Sequence, residues 1–192
     1  MIDLSLNEAE TLAAKAARGA GLSWGLADEV GRAARAIAME GGNWSDALLA
    51  LAKNVNEFDP PDIERIARWR GGERDVPRPR RLCPVRTAAV LLDDPPNLGA
   101  ASLEIGHVGL PIWLDAMLKF SDLCVKRSGD PLAAVGDVTI RCRARCPRPA
   151  IASRAAIAPQ TLAALNAYAA RTYVPESERS RLRAGGGSVD DE

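Results

Sequence analysis

The side chains best suited to chemistry gather in two stretches of this 192-residue chain. The first is Arg18-Gly19-Ala20-Gly21-Leu22-Ser23-Trp24-Gly25-Leu26-Ala27-Asp28-Glu29, a joint between two helix-like segments. A plain connector needs one glycine and no indole. Glycines let a backbone approach a partner closely, and the start of a helix offers free N–H groups to an anion. Arg18 and Trp24 add a charge and a stacking face, and Glu29 a carboxylate. The plainer alternative is a tight corner between helices, with Gly19 and Gly21 making the turn and Trp24 in the core. A P-loop is ruled out, because no Gly-Lys-Ser/Thr follows and no strand precedes. The second stretch is Thr172-Tyr173-Val174-Pro175-Glu176-Ser177-Glu178-Arg179-Ser180-Arg181, followed by Gly185-Gly186-Gly187-Ser188 and Asp190-Asp191-Glu192. Hydroxyls, carboxylates and glycines so dense suit contact with a ligand; the alternative is a frayed end. The expectation is that the two stretches face each other. Arg18, Gly19, Gly21, Trp24 and Glu29 would form one side of a cleft, and Tyr173, Ser177, Glu178 and Arg181 the other.

Three further groups carry chemistry. His107 is the only histidine, so no metal site using two histidines forms within one chain, and any base is His107, a carboxylate, a lysine or a tyrosine. A hydrogen-bonded structural histidine is the commoner arrangement. Of the four cysteines, Cys142 and Cys146 are four apart rather than at the spacing of a Cys-x-x-Cys knuckle. A zinc site would need Cys83 and Cys124 or His107 to converge on them. Buried or half-buried free thiols, with no metal and no cofactor, are expected instead. Arg141, Arg143 and Arg145 share one face of a strand, about 6.5–7 Å apart. With Arg78, Arg80 and Arg81 they would make a basic patch. Zero net charge and the lack of interleaved aromatics weigh against nucleic acid and for a solvated sheet face.

Composition sets the frame. Hydrophobic residues are 47% and charged residues 26%, ordinary for a globular protein with a sizeable core. Twenty-one of the 25 basic residues are arginine, which a GC-rich genome explains. No apolar run reaches the roughly 18 residues of a membrane span, and the start lacks a basic region followed by an apolar one. A soluble cytoplasmic protein with reduced thiols is expected.

The elements follow from caps and periodicity. Ser5 and Glu8 have the spacing of a capping box, ahead of a helix with Ala9, Leu12, Ala13 and Ala16 on one face. Ser23 caps a second helix with an apolar stripe of Leu26, Val30, Ala33, Ala34 and Ile37, and Asp28 and Arg32 stand at ion-pair spacing. Trp44, Ala47, Leu48 and Leu51 mark a third helix. A fourth opens at Asp59-Pro60-Pro61-Asp62, with Ile63, Ile66 and Ala67 inward. Thr87 to Leu92 and Ser102 to Gly106 read as strands. Leu110 to Leu118 reads as a short helix, Asp137 to Arg145 as a strand with Cys142 on its apolar face, and Gln160 to Arg171 as a last helix. The sum is a single α+β domain over 1–192: a helical part over 1–72 packed on a small antiparallel sheet, a linker over 73–81, a mixed strand and helix part over 82–172 that ends in the C-terminal helix, and a polar, glycine-rich tail over 173–192.

With both motifs in view, the chain resembles an uncharacterised bacterial family, mainly proteobacterial, known only as a domain of unknown function. The resemblance extends over nearly the whole chain. The family implies no reaction and supplies no catalytic residues. On its own residues the chain is expected to bind a small polar or anionic metabolite, or to serve as an accessory subunit or self-associate. The rival is a hydrolase or lyase using Glu29, Glu178, Tyr173 or His107. Membrane partners are not expected.

Overall fold

In the computed structural model, the described residues are 1–71, 73, 80–127, 130, 133–142 and 152–173. The element order is β1 (Ile2–Ser5), α1 (Leu6–Gly19), α2 (Trp24–Met39), α3 (Trp44–Asn54), α4 (Ile63–Arg70), α5 (Pro84–Asp93), β2 (Ser102–Gly109), α6 (Pro111–Leu118), β3 (Leu123–Arg127), β4 (Val135–Cys142), β5 (Arg154–Ile157) and α7 (Pro159–Ala170). The α+β expectation holds. The sheet is two sheets, however: β1 pairs antiparallel with β5, and β4 lies between β2 and β3, antiparallel to both. Strands β1, β3 and β5, of four or five residues, were not anticipated.

Helix α1 starts where its capping box says it should. The Glu8 N–H donates to Ser5 Oγ at 3.2 Å and the Ser5 N–H donates to Glu8 Oε2 at 2.7 Å. These bonds hold the Glu8 carboxyl below its ordinary pKa. Its buried face is Ala9, Ala13, Ala16 and Ala17, side chains small enough for two neighbours to come close. Helix α2 packs along one side of α1 and α7 along the other. At Gly31 of α2 an added Cβ would stand 2.9 Å from the Glu10 carbonyl oxygen, and one at Gly19 would overlap the Tyr168 carbonyl of α7. The α1–α2 turn needs Gly21, whose φ of 110° is strained for any side chain. There the N–H groups of Ala20, Gly21 and Leu22 close on the carbonyls of Ala16, Arg18 and Ala17. Ser23 is the N-cap of α2 as expected, but its hydroxyl makes no capping bond.

Buried indoles tie the other layers to this bundle. Trp44 Nε1 donates to the Ala156 carbonyl of β5 and Trp113 Nε1 to the Ala47 carbonyl of α3, each at 3.2 Å. Helix α6 packs against α2 on one side and against β3 on the other. In that layer Arg127 pairs with Asp115 at 3.2 Å and Lys119 with Glu40. Burial pushes the Asp115 carboxyl above its ordinary 3.8, against the opposing pull of Lys119 and Arg127.

Two expected elements differ. Thr87 to Leu92 is helix, not strand. A short apolar run does not by itself distinguish the two; Pro84 in the first turn, with Thr87, Ala88 and Leu91 buried after it, sets a helical repeat. On α4, Ile63 is 85% exposed and Ala67 is exposed, while Arg65 and Trp69 are buried. The inward face is therefore turned from the expected one; the Asp62 side chain accepts from the Arg65 N–H at 2.8 Å and sets the start of the helix. Most of the expected linker over 73–81 lies outside the described residues, although the Asp59 N–H donates to the Arg81 carbonyl at 2.9 Å.

Gly19→Ala is expected to destabilise the chain by about 1–3 kcal/mol, because it forces α7 off α1. Gly25→Ala, at a position with nothing within 4 Å, is expected to leave stability unchanged or slightly raised. Urea denaturation of both variants checks the contrast. For Asp115 the native pKa is raised, so the native state takes up the proton before the unfolded chain does. Its charge therefore costs stability above the native pKa, and that cost is relieved as pH falls toward 3.8. Relative to Asp115→Asn, the parent is expected to lose stability as pH rises through that range, read by urea midpoints at a series of pH values.

Candidate functional site

The turn between α1 and α2 puts Trp24 in the first turn of α2, and it does not enter the core. Trp24 is 66% exposed, whereas Trp44, Trp69 and Trp113 are at most 1% exposed. The Arg18 guanidinium lies 4.9 Å from the centre of the Trp24 ring and donates through Nη1 to the Leu22 carbonyl at 2.7 Å. Arg18 is thus held across the turn, with its charge on the indole face. The corner is tight, as the plainer alternative had it, but its indole is on the surface.

The end of α7 arrives at the same place. Helix α7 lies along α1, and the Tyr173 N–H donates to the Ala170 carbonyl at 3.2 Å just beyond it. Tyr173 is 62% exposed. Lys15, one turn before Arg18 on α1, stands 5.7 Å from the centre of the Tyr173 ring, and its Nζ donates to Tyr173 Oη at 3.5 Å. Trp24 and Tyr173 therefore border one open groove of about 750 Å³. Its floor is the outer ridge of α1, at Asn7, Thr11 and Ala14, and Asp28 and Arg32 continue the α2 side beyond Trp24. A smaller hollow of about 350 Å³ shares Asn7, Thr11, Lys15 and Tyr173 and extends along α7 to Asn166.

The charges in the groove are unequally engaged. Glu10 pairs with Arg35 at 3.1 Å, and Arg35 also donates to Asn7 at 2.8 Å. Arg32 pairs with Glu29, three residues away, rather than with Asp28 as expected. Glu29 is thereby tied up outside the groove lining. Lys15 and Arg18 have no carboxylate partner among the described residues.

Of the residues singled out from sequence, the structure brings Trp24 and Tyr173 to the lining of this groove, and Arg18 lies beside it, over the Trp24 ring. Gly19 and Gly21 serve packing and the turn. Ser177, Glu178 and Arg181 lie outside the described residues. Sequence reasoning missed Lys15, Thr11 and Asn7. The available signal was the three-residue step from Lys15 to Arg18, which puts both cations on one face of α1.

The other candidates disperse. His107 sits at a bulge of β2 with φ 58°; its N–H donates to Asp137 Oδ1 and its carbonyl accepts from the Leu82 N–H, both at 2.9 Å. Cys83 is buried and Cys124 half-buried, but Cys142 is exposed; it ends β4, so the apolar face no longer covers it. Cys146 lies outside the described residues. Burial pushes the Cys83 thiol pKa up, which makes it a poor nucleophile. Among the described residues no cluster of three or more histidines, cysteines and carboxylates could hold a metal ion. Arg141 is exposed between Ser102 and Cys124, and the next row along is Glu104, Thr139 and Lys126, of mixed sign. Arg81 pairs with Glu57 at 3.0 Å and Arg80 lies 3.6 Å from Asp59, so neither adds free charge. Arg78, Arg143 and Arg145 lie outside the described residues.

Residues 4–73 match the model of a family described as a protein of unknown function, DUF3726. The expected likeness to such a family is thus found over α1 to α4, which carry Lys15, Arg18 and Trp24; Tyr173 and the C-terminal motif fall outside the match. No curated protein and no solved structure matches the chain. Among the described residues no helix is long and apolar enough to cross a membrane.

Because the other three indoles are buried, iodide is expected to quench one component of the tryptophan emission, and Trp24→Phe to remove that component. Iodide is expected to exceed caesium as a quencher, since Arg18 places a positive charge on the ring; Arg18→Ala should narrow the difference.

Proposed function

We propose that this chain binds a small anionic metabolite in the groove between α1, α2 and the end of α7. The observation that carries the proposal is the pair Lys15 and Arg18. Both are cations without carboxylate partners among the described residues; Lys15 lines the groove against Tyr173, and Arg18 lies over the ring of Trp24, which borders it. An anion there would meet two cations, and charge-assisted hydrogen bonds are about twice as strong as neutral ones. The carbonyls at the end of α1, which would repel an anion, are already engaged by the N–H groups of Ala20, Gly21 and Leu22. A groove of this volume falls within the roughly 300–1,000 Å³ of small-molecule sites.

A catalytic role draws less support. The groove is open to water, Glu29 is paired with Arg32, and the buried carboxyl Asp115 belongs to the ion pairs of α6. The accessory-subunit reading rests on the same two rings, because exposed aromatics also anchor protein partners.

Calorimetric titration with inorganic phosphate and with citrate tests the binding reading. At least one anion is expected to bind, and Lys15→Ala combined with Arg18→Ala to weaken it about tenfold or more, from the roughly 1.5–3 kcal/mol of a hydrogen bond to a charged group. Binding that the double variant leaves untouched would remove the groove from consideration.

A further inference from the structure

We infer that the ligand of this groove is a flat aromatic ring joined to an anionic group, the ring stacking at Trp24 and the anion reaching Lys15 and Arg18. The inference rests on the anion-binding reading above and adds the ring. Simple anion sites are made of N–H donors and cations and have no use for exposed rings. This groove instead presents an indole and a phenol, both more than three-fifths exposed, from opposite ends of the described chain. Rings left in water at that extent have surface to give to a flat partner.

The floor between them is cut low. Of the α1 side chains that line it, Thr11 and Ala14 are short, and Asn7, Glu10 and Lys15 stand beside them. The cations are placed along the same helix, Lys15 toward Tyr173 and Arg18 over Trp24. A ligand lying in the groove would therefore meet a ring and a cation on each flank. On α2, one turn beyond Trp24, Asp28 is exposed and makes no ion pair among the described residues. It can accept a hydrogen bond from an amino group on the ring. The chemistry selected is that shared by nucleoside phosphates and amino-substituted aromatic acids.

Adenosine 5′-monophosphate, adenosine and inorganic phosphate, titrated separately into the full chain, test this, with 4-aminobenzoate against acetate as a second pair. The ring-bearing anion is expected to bind about tenfold or more tighter than the ring-free anion, the scale of stacking a base on an aromatic side chain. Trp24→Ala should remove the advantage of the nucleotide over phosphate; Trp24→Phe should restore part of it. Lys15→Ala with Arg18→Ala should bring the nucleotide down to the level of adenosine. Phosphate binding that gains nothing from a ring in either pair would overturn the ring while leaving the anion site standing. Adenosine binding as tightly as its monophosphate would overturn the anionic half. Failure of every anion to bind would overturn the groove reading and this inference together.

Discussion

Everything at the groove depends on how closely α1 is approached from both sides. Gly31 of α2 lies against the Glu10 carbonyl, and Gly19 lies against the Tyr168 carbonyl of α7. Between these contacts the α1 face is alanine, so backbones meet where larger side chains would hold them apart. A protein interior tolerates little misfit. A methyl group at Gly19 would displace α7 and, with it, Tyr173. The distance across the groove is therefore set by atoms inside the bundle, not by the side chains that line it.

The α1–α2 turn does the rest. Gly21 takes a backbone conformation that disfavours a side chain, and the Arg18 guanidinium bonds the Leu22 carbonyl across the turn. That bond leaves Trp24 outside and keeps a cation on its face. In water such a pair adds about 0.5–1 kcal/mol, too little to explain an exposed indole on stability grounds alone. The same arrangement sets two rings, each with a cation against it, beside a floor of Asn7, Thr11 and Ala14, which is the basis for reading the groove as a binding site.

Local structure was largely legible. The Ser5–Glu8 capping box, the alanine face of α1, the stripe of α2 and, in β4, the buried pair Val138 and Ile140 appear where spacing puts them. Errors arose where one-dimensional pattern is degenerate. A run of six small apolar residues, Thr87 to Leu92, satisfies strand and helix alike, and Pro84 upstream decides for helix. On α4 hydrophobicity pointed Ile63 inward, yet the buried residues are Arg65 and Trp69, because the neighbours of a short helix choose its inward face. Short strands such as β1 and β5 carry too few residues for alternation to show; each exists because the other pairs with it.

By itself, then, the sequence determined most of the helical segments, where the first helices begin and where a tight corner must fall. Those features are encoded within a turn or two of chain, through caps, glycines and periodicity. Only the tertiary structure decided that Trp24 faces water, that Lys15 belongs with Tyr173, and that the corner and the far end of α7 border one groove. These relations join residues far apart in the chain, and they follow from the close packing of α2 and α7 on α1, which no local pattern records.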